Sequence, residues 1–140
     1  MGVSITATNS KYDFDMGYGG FFSLRTNIAL ALDEEFGENY ARLGRCHTKA
    51  QFAENDKAAE RIIGSKHLDD AFGDVLDFLY LPDTGGRISY KTCGKIYGLI
   101  KDIDFGGDGF RYQFCRGGDY EEFKEFLKEC YSHRRMMRWY

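Results

Sequence analysis

The chain has 140 residues, 43% of them hydrophobic and 16% aromatic, with 12 Phe, 10 Tyr and a single Pro. That is enough apolar surface for one core and too little for two independent ones, so residues 1–140 are expected to form a single globular domain. The net charge of −3, from 19 basic and 22 acidic residues, disfavours both a strongly basic nucleic-acid binder and a dense acidic mimic of DNA.

No apolar stretch approaches the ~20 residues of a membrane span. Met1 to Ser10 has neither a charged n-region nor an apolar h-region, so no secretory signal is expected. The cysteines at 46, 93, 115 and 130 form no C-x-x-C pair, and Cys93 and Cys130 fall on apolar helix faces. They read as reduced thiols in a cytoplasmic protein.

In chain order, Val3 to Thr8 carries β-branched residues in weak alternation and reads as a short strand or extended arm. Lys11 to Gly20 mixes aromatics, Asp and Gly and reads as a structured loop. Phe21 to Phe36 has Phe21, Leu24, Ile28, Ala31 and Leu32 at helical spacing, with Gly37 as its stop. A short helix follows through Tyr40 and Leu43. Thr48 is an N-cap candidate for a helix to about Ile63, broken by Gly64 and Ser65. Lys66 to Leu81 predicts a strongly amphipathic helix, with Asp70, Asp74 and Asp77 on one polar face. Pro82 to Gly86 is a turn by composition, and Ser89 caps the next helix, which carries Cys93, Ile96, Tyr97, Ile100 and Ile103 inward. Lys91 and Lys95 lie opposite those faces, so the two helices form a hairpin with one acidic and one basic edge. Asp104 to Gly109 is a loop. Phe110 to Cys115 alternates and is a strand candidate, with Val3 to Thr8 as its partner. Asp119 with Glu122 resembles a capping box ahead of a last helix, whose Tyr120, Phe123, Phe126, Leu127 and Cys130 face the core. The expected fold is mainly α, with α+β as the variant: four to six helices and at most a short two-stranded ribbon.

Each candidate chemistry competes with a plainer role. Gly17-Tyr18-Gly19-Gly20 precedes a helix and can cradle a phosphate-containing ligand on free N–H groups. It does not match a P-loop, and no clear strand precedes it, so a tight turn accounts for it as well. Asp102, Asp104, Gly107 and Asp108 resemble a calcium loop, but Gln113 stands where the bidentate Glu is needed. Cys130 and His133, or Cys46 and His47, lack the spacing of paired zinc knuckles. No metal and no cofactor is therefore expected. No nucleophile elbow or other catalytic signature surrounds His47, His67 or His133, which argues against an enzyme without excluding one. The last residues, His133 to Tyr140, bring Arg134, Arg135, Arg138, Trp139 and Tyr140 together at the end of a helix. Arginine forks and large aromatics are strong interface anchors, for a protein or for RNA. The plain alternative has the arginines facing the helix dipole while Met136, Met137 and Trp139 fold back onto the core.

Three stretches, Tyr12 to Leu24 (YDFDMGYGGFFSL), Leu81 to Tyr97 (LPDTGGRISYKTCGKIY) and Phe126 to Arg135 (FLKECYSHRR), resemble small proteins carried by phages and mobile elements of Gram-positive bacteria. No catalytic residues follow from that resemblance. It implies a setting in which small proteins block host defence, as anti-CRISPR proteins do. The leading expectation is a non-enzymatic cytoplasmic protein that binds a host protein or ribonucleoprotein complex, such as a CRISPR effector, stoichiometrically. RNA contact through the Arg-rich end is compatible with it, and so is a homodimer; a membrane partner is not expected. The alternative is a small enzyme or sequestering protein that holds a phosphate-containing ligand at Gly17 to Gly20.

Overall fold

The computed structural model describes residues 2–105 and 120–140. Strands β1 (Val3–Thr6) and β2 (Phe14–Met16) form an antiparallel hairpin that leads directly into α1 (Tyr18–Leu32). There follow α2 (Glu34–Ala41), a 3-10 turn (Arg42–Arg45), α3 (Lys49–Lys66), α4 (Leu68–Tyr80), β3 (Gly86–Ile88), α5 (Tyr90–Ile100), α6 (Tyr120–Ser132) and β4 (Met137–Trp139). The described residues are thus predominantly helical, as expected. The β content exceeds a two-stranded ribbon: four strands form one antiparallel sheet in the order β2-β1-β4-β3. The strand expected at Phe110 to Cys115, its pairing with β1, and the Asp119 cap lie outside the described residues. The partners of β1 are β2 and β4.

Local signals explain most boundaries. Thr48 and Gln51 make a complete capping box at the start of α3, with the Thr48 hydroxyl accepting from Gln51 N at 3.1 Å and the Gln51 side chain accepting from Thr48 N at 3.1 Å. The Ser89 hydroxyl accepts from Thr92 N and starts α5. The helix expected over Phe21 to Phe36 is broken earlier, at Asp33, whose carboxylate accepts from Phe36 N at 2.9 Å and caps α2. Gly37 does not stop that helix. It lies inside α2, where a Cβ would stand 2.5 Å from Leu30 Cα, so glycine is what lets α1 and α2 touch. Helix α3 runs past Gly64 and Ser65 and ends at His67, which takes the left-handed conformation at φ 54°.

The inner face of the sheet is apolar and the outer face polar. Val3, Ile5, Phe14, Met16, Ile88, Met137 and Trp139 are buried against the helices. Phe14 meets Phe123 and Phe126 of α6 edge-on at 5.7 and 5.5 Å. Trp139 packs on Phe21 of α1 and Phe78 of α4 at 5.8 and 5.4 Å. Gly86 lies opposite Trp139 across β3 and β4, and a Cβ there would stand 2.3 Å from the indole.

The C-terminal end of α4 has carbonyls without helical partners. Three side chains from three other elements satisfy them. Tyr40 of α2 donates to Leu79 O at 2.7 Å, Arg25 of α1 to Leu81 O at 2.7 Å, and Trp139 of β4 to Pro82 O at 2.9 Å. Arg25 is 6% exposed, and its guanidinium lies over the Phe21 ring at 4.2 Å, with Phe78 and Trp139 beside it. Its pKa falls below the usual arginine range because burial strips its hydration, an effect that Tyr40 and Asp83 offset in part.

The acidic and basic edges of α4 and α5 do meet, at one position. The Asp74 carboxylate accepts from Thr92 Oγ1 at 2.8 Å and from Lys95 Nζ at 3.0 Å. Burial alone would raise its pKa, but these partners hold it below the ordinary carboxylate value. A depressed folded pKa means stability that is present above about pH 4 and is lost as pH falls through the folded value.

Two predictions follow from this packing. Gly86→Ala should lower the midpoint of urea unfolding by the equivalent of about 1–3 kcal/mol with an unchanged m-value, because the boxed indole has no room to shift. Asp74→Asn should cost about 0.5–1 kcal/mol at pH 7, since the pair is partly exposed and screened. Stability measured against pH should then show the two proteins converging at acid pH.

Candidate functional site

The outer face of the sheet is built by strict alternation. Met137 and Trp139 point inward, so Arg138 points out; Gly86 and Ile88 flank an outward Arg87 in the same way. Tyr140 continues the ladder beyond β4: its N–H donates to Ser4 O at 3.1 Å and its carbonyl accepts from Ser4 N at 2.8 Å. That places the ring, 67% exposed, on the same side as Arg138. Ser4, Thr6 and Asp15 complete the face toward β2, where the Ser4 hydroxyl donates to the Asp15 carboxylate.

Arg87 and Arg138 are directly opposite one another across β3 and β4. Because Tyr140 exchanges its backbone bonds with Ser4, alternation directs those of Arg138 toward β1 as well and those of Trp139 toward β3. Arg87 and Arg138 are therefore a non-hydrogen-bonded pair, the type in which side chains stand closest, with Cα atoms about 4.5 Å apart. Like charges in that position repel. Neither arginine has an ion-pair partner among the described residues, and the hydrogen bond of Arg138 goes to a neutral group, Thr8 Oγ1, at 2.9 Å. The face grades from acidic at Asp15 to doubly basic at β3–β4.

The five C-terminal residues singled out from the sequence are thereby divided. Arg134 and Arg135 do follow the end of α6, but Arg138 and Trp139 belong to β4, a strand in the middle of the sheet, and Tyr140 continues it. Trp139 is a core residue at 2% exposure and is not available as a surface anchor. Arg135 is committed to Glu129 Oε1 at 2.9 Å and to Asn9 O at 3.2 Å. Arg134 is exposed and takes the left-handed conformation, φ 55°, in the cap of α6, where Arg135 N donates back to Cys130 O at 2.9 Å. Arg138 and Tyr140 come together on the open face. Arg87, which joins them there, lies between the turn read at Pro82 to Gly86 and the Ser89 cap, where the sequence predicts no element; the one signal for it is that Gly86-Arg87-Ile88 and Met137-Arg138-Trp139 both carry an arginine between inward residues.

The Gly17 to Gly20 segment has a strand before it after all, β2, so it is a strand-turn-helix junction. Gly17 is the N-cap of α1 without a side-chain cap, and Tyr18, Gly19 and Gly20 form the first turn. A Cβ on Gly17 or Gly19 would meet nothing within 4 Å, so no close approach within the protein requires either glycine. A second opening, a groove of about 500 Å³ between the 3-10 turn and α3, is lined by Arg42, Arg45, Cys46, Gln51, Glu54 and Asn55. Glu54 reduces its positive charge, and the Gln51 side chain is held in the capping box.

Among the described residues no three His, Cys, Asp or Glu side chains come together as a metal site. Cys46, Cys93 and Cys130 are free thiols. Cys93 and Cys130 meet where α5 packs on α6, both fully buried, and the bond from Cys93 to Cys130 together with burial pushes the Cys93 thiol far above the usual range. It is protonated and packs as a small apolar group. No described helix is long and apolar enough to cross a membrane.

No family model, no curated protein and no solved structure matches the chain.

Proposed function

We propose that this chain is a non-enzymatic, cytoplasmic interaction protein that acts by stoichiometric binding, with the open sheet face as its contact surface. The partner class is a host protein or ribonucleoprotein complex, and the role is inhibition of a defence system of the anti-CRISPR type. That setting rests on the resemblance of the three sequence stretches to proteins of phages and mobile elements. The contact surface rests on one observation: Arg87 and Arg138 oppose each other at the closest cross-strand spacing, exposed, and neither has an ion-pair partner among the described residues. The arrangement costs folding free energy and supplies two guanidinium forks to an anionic surface.

A single substitution separates the two effects. Arg87→Glu turns the repulsive pair into a cross-strand ion pair. Stability should rise by about 0.2–1 kcal/mol, while capture of the stoichiometric partner by a tagged copy in the native host should be lost. Retention of the partner by the stabilised variant would remove the sheet face from the mechanism.

A further inference from the structure

We infer that the basic half of the open face binds single-stranded RNA, with Arg87 and Arg138 on the phosphates and Tyr140 as a stacking platform for a base. The inference rests on the sheet face being the contact surface and names the chemistry of what it contacts. Two features favour an RNA strand over an acidic protein segment. The first is the ring: Tyr140 lies two residues beyond Arg138 on the same strand and the same face, about 7 Å along it at the usual rise per residue. Its phenol is 67% exposed. Every base has a face to stack on such a ring, so it serves an RNA strand whatever its sequence. The second is the combination of charge and ring: guanidinium forks match carboxylate and phosphate oxygens alike, but forks beside an exposed ring fit a chain in which phosphate and base alternate. Thr6 stands directly opposite Arg138 on β1 and adds a hydroxyl to this face, a group able to pair with a ribose 2′-OH. The acidic charge on this face, Asp15, is bound by the Ser4 hydroxyl on the far edge strand and leaves the β4–β3 side basic.

The test is fluorescence anisotropy of a labelled oligouridine with the full chain at several salt concentrations, with an oligothymidine of equal length and a polyglutamate peptide as alternative probes. Oligouridine should bind in preference to the other two and weaken with salt. Arg87→Ala should flatten the plot of log affinity against log salt by about 0.7, the value for one phosphate contact on a single strand. Tyr140→Ala should weaken binding roughly 5- to 100-fold without changing that slope, because it removes stacking and not charge. Tyr140→Phe should restore most of the affinity, which a merely structural role of the hydroxyl would not allow. Preference for polyglutamate or for oligothymidine would overturn the assignment to RNA, and so would a Tyr140→Ala variant that binds as the unaltered chain does. If oligouridine does not bind but the native partner is still captured and is lost on Arg87→Glu, the RNA inference fails while the interaction reading stands. If the partner too is retained by Arg87→Glu, both fail.

Discussion

The fold turns on the unsatisfied carbonyls where α4 ends. Leu79, Leu81 and Pro82 each offer an acceptor that the helix cannot use, and α2, α1 and β4 each send one side chain to fill it. Leaving a buried carbonyl unpaired costs about 1–3 kcal/mol, so this one turn ties together elements from both ends of the chain. Arg25 is the most demanding of the three. Burying a guanidinium without a carboxylate is unfavourable in a low-dielectric core. Here the faces of Phe21, Phe78 and Trp139 replace part of the lost hydration. Trp139 therefore acts twice, as a ring beside the cation and as a donor to the turn. Its position is over-determined, and the strand that carries it is held firmly in the centre of the sheet.

That constraint reaches the surface. Once Trp139 points inward, the period of two leaves Arg138 and Tyr140 no choice but to point outward. Gly86 must then lie opposite the indole, because no side chain fits there, and its neighbour Arg87 is forced to the open face in register with Arg138. The outward placement of the two arginines, though not their charge, follows from how the core is packed beneath them. Arg138 is carried by a strand paired on both sides, and Arg87 by the edge strand β3.

The helices were legible in the sequence because their signals are local. The capping box of Thr48 and Gln51, the Ser89 cap and the apolar face of α6 each lie within a few residues of what they control. Of the sheet only β1 was legible, in the weak alternation of Val3 to Thr8. The other strands have three residues each, too few to show a periodicity, and β4 finds its partners more than 130 residues away in β1 and about 50 away in β3. Asp33 was missed as a helix break because the apolar spacing runs on through Phe36, and Gly37 was misread as a stop because the need of α1 and α2 for close approach is tertiary. The candidate site was half visible. Arg138 and Tyr140 stood out by residue type, but residue type alone also selected Trp139, which belongs to the core, and Arg135, which belongs to an ion pair. Arg87 had no signal apart from the strand that pairs with it.

What distinguishes the Arg87–Arg138 pair from an ordinary scatter of surface charge is that a cheaper arrangement lies one substitution away. Either position could carry Glu, Thr or Lys without disturbing the core, since both side chains point into solvent and neither holds another element in place apart from the bond of Arg138 to Thr8. A glutamate would convert repulsion into attraction. Inward residues of this sheet are explained by packing: Trp139 by its box, Gly86 by the indole, Met137 by burial. Among the described residues the outward arginines have no such packing role; Arg138 bonds to Thr8. On the proposed reading, an anion held between the two forks would relieve their mutual repulsion. The geometry that makes the unbound sheet slightly less stable would then favour a partner with negative charge spaced to reach both guanidiniums.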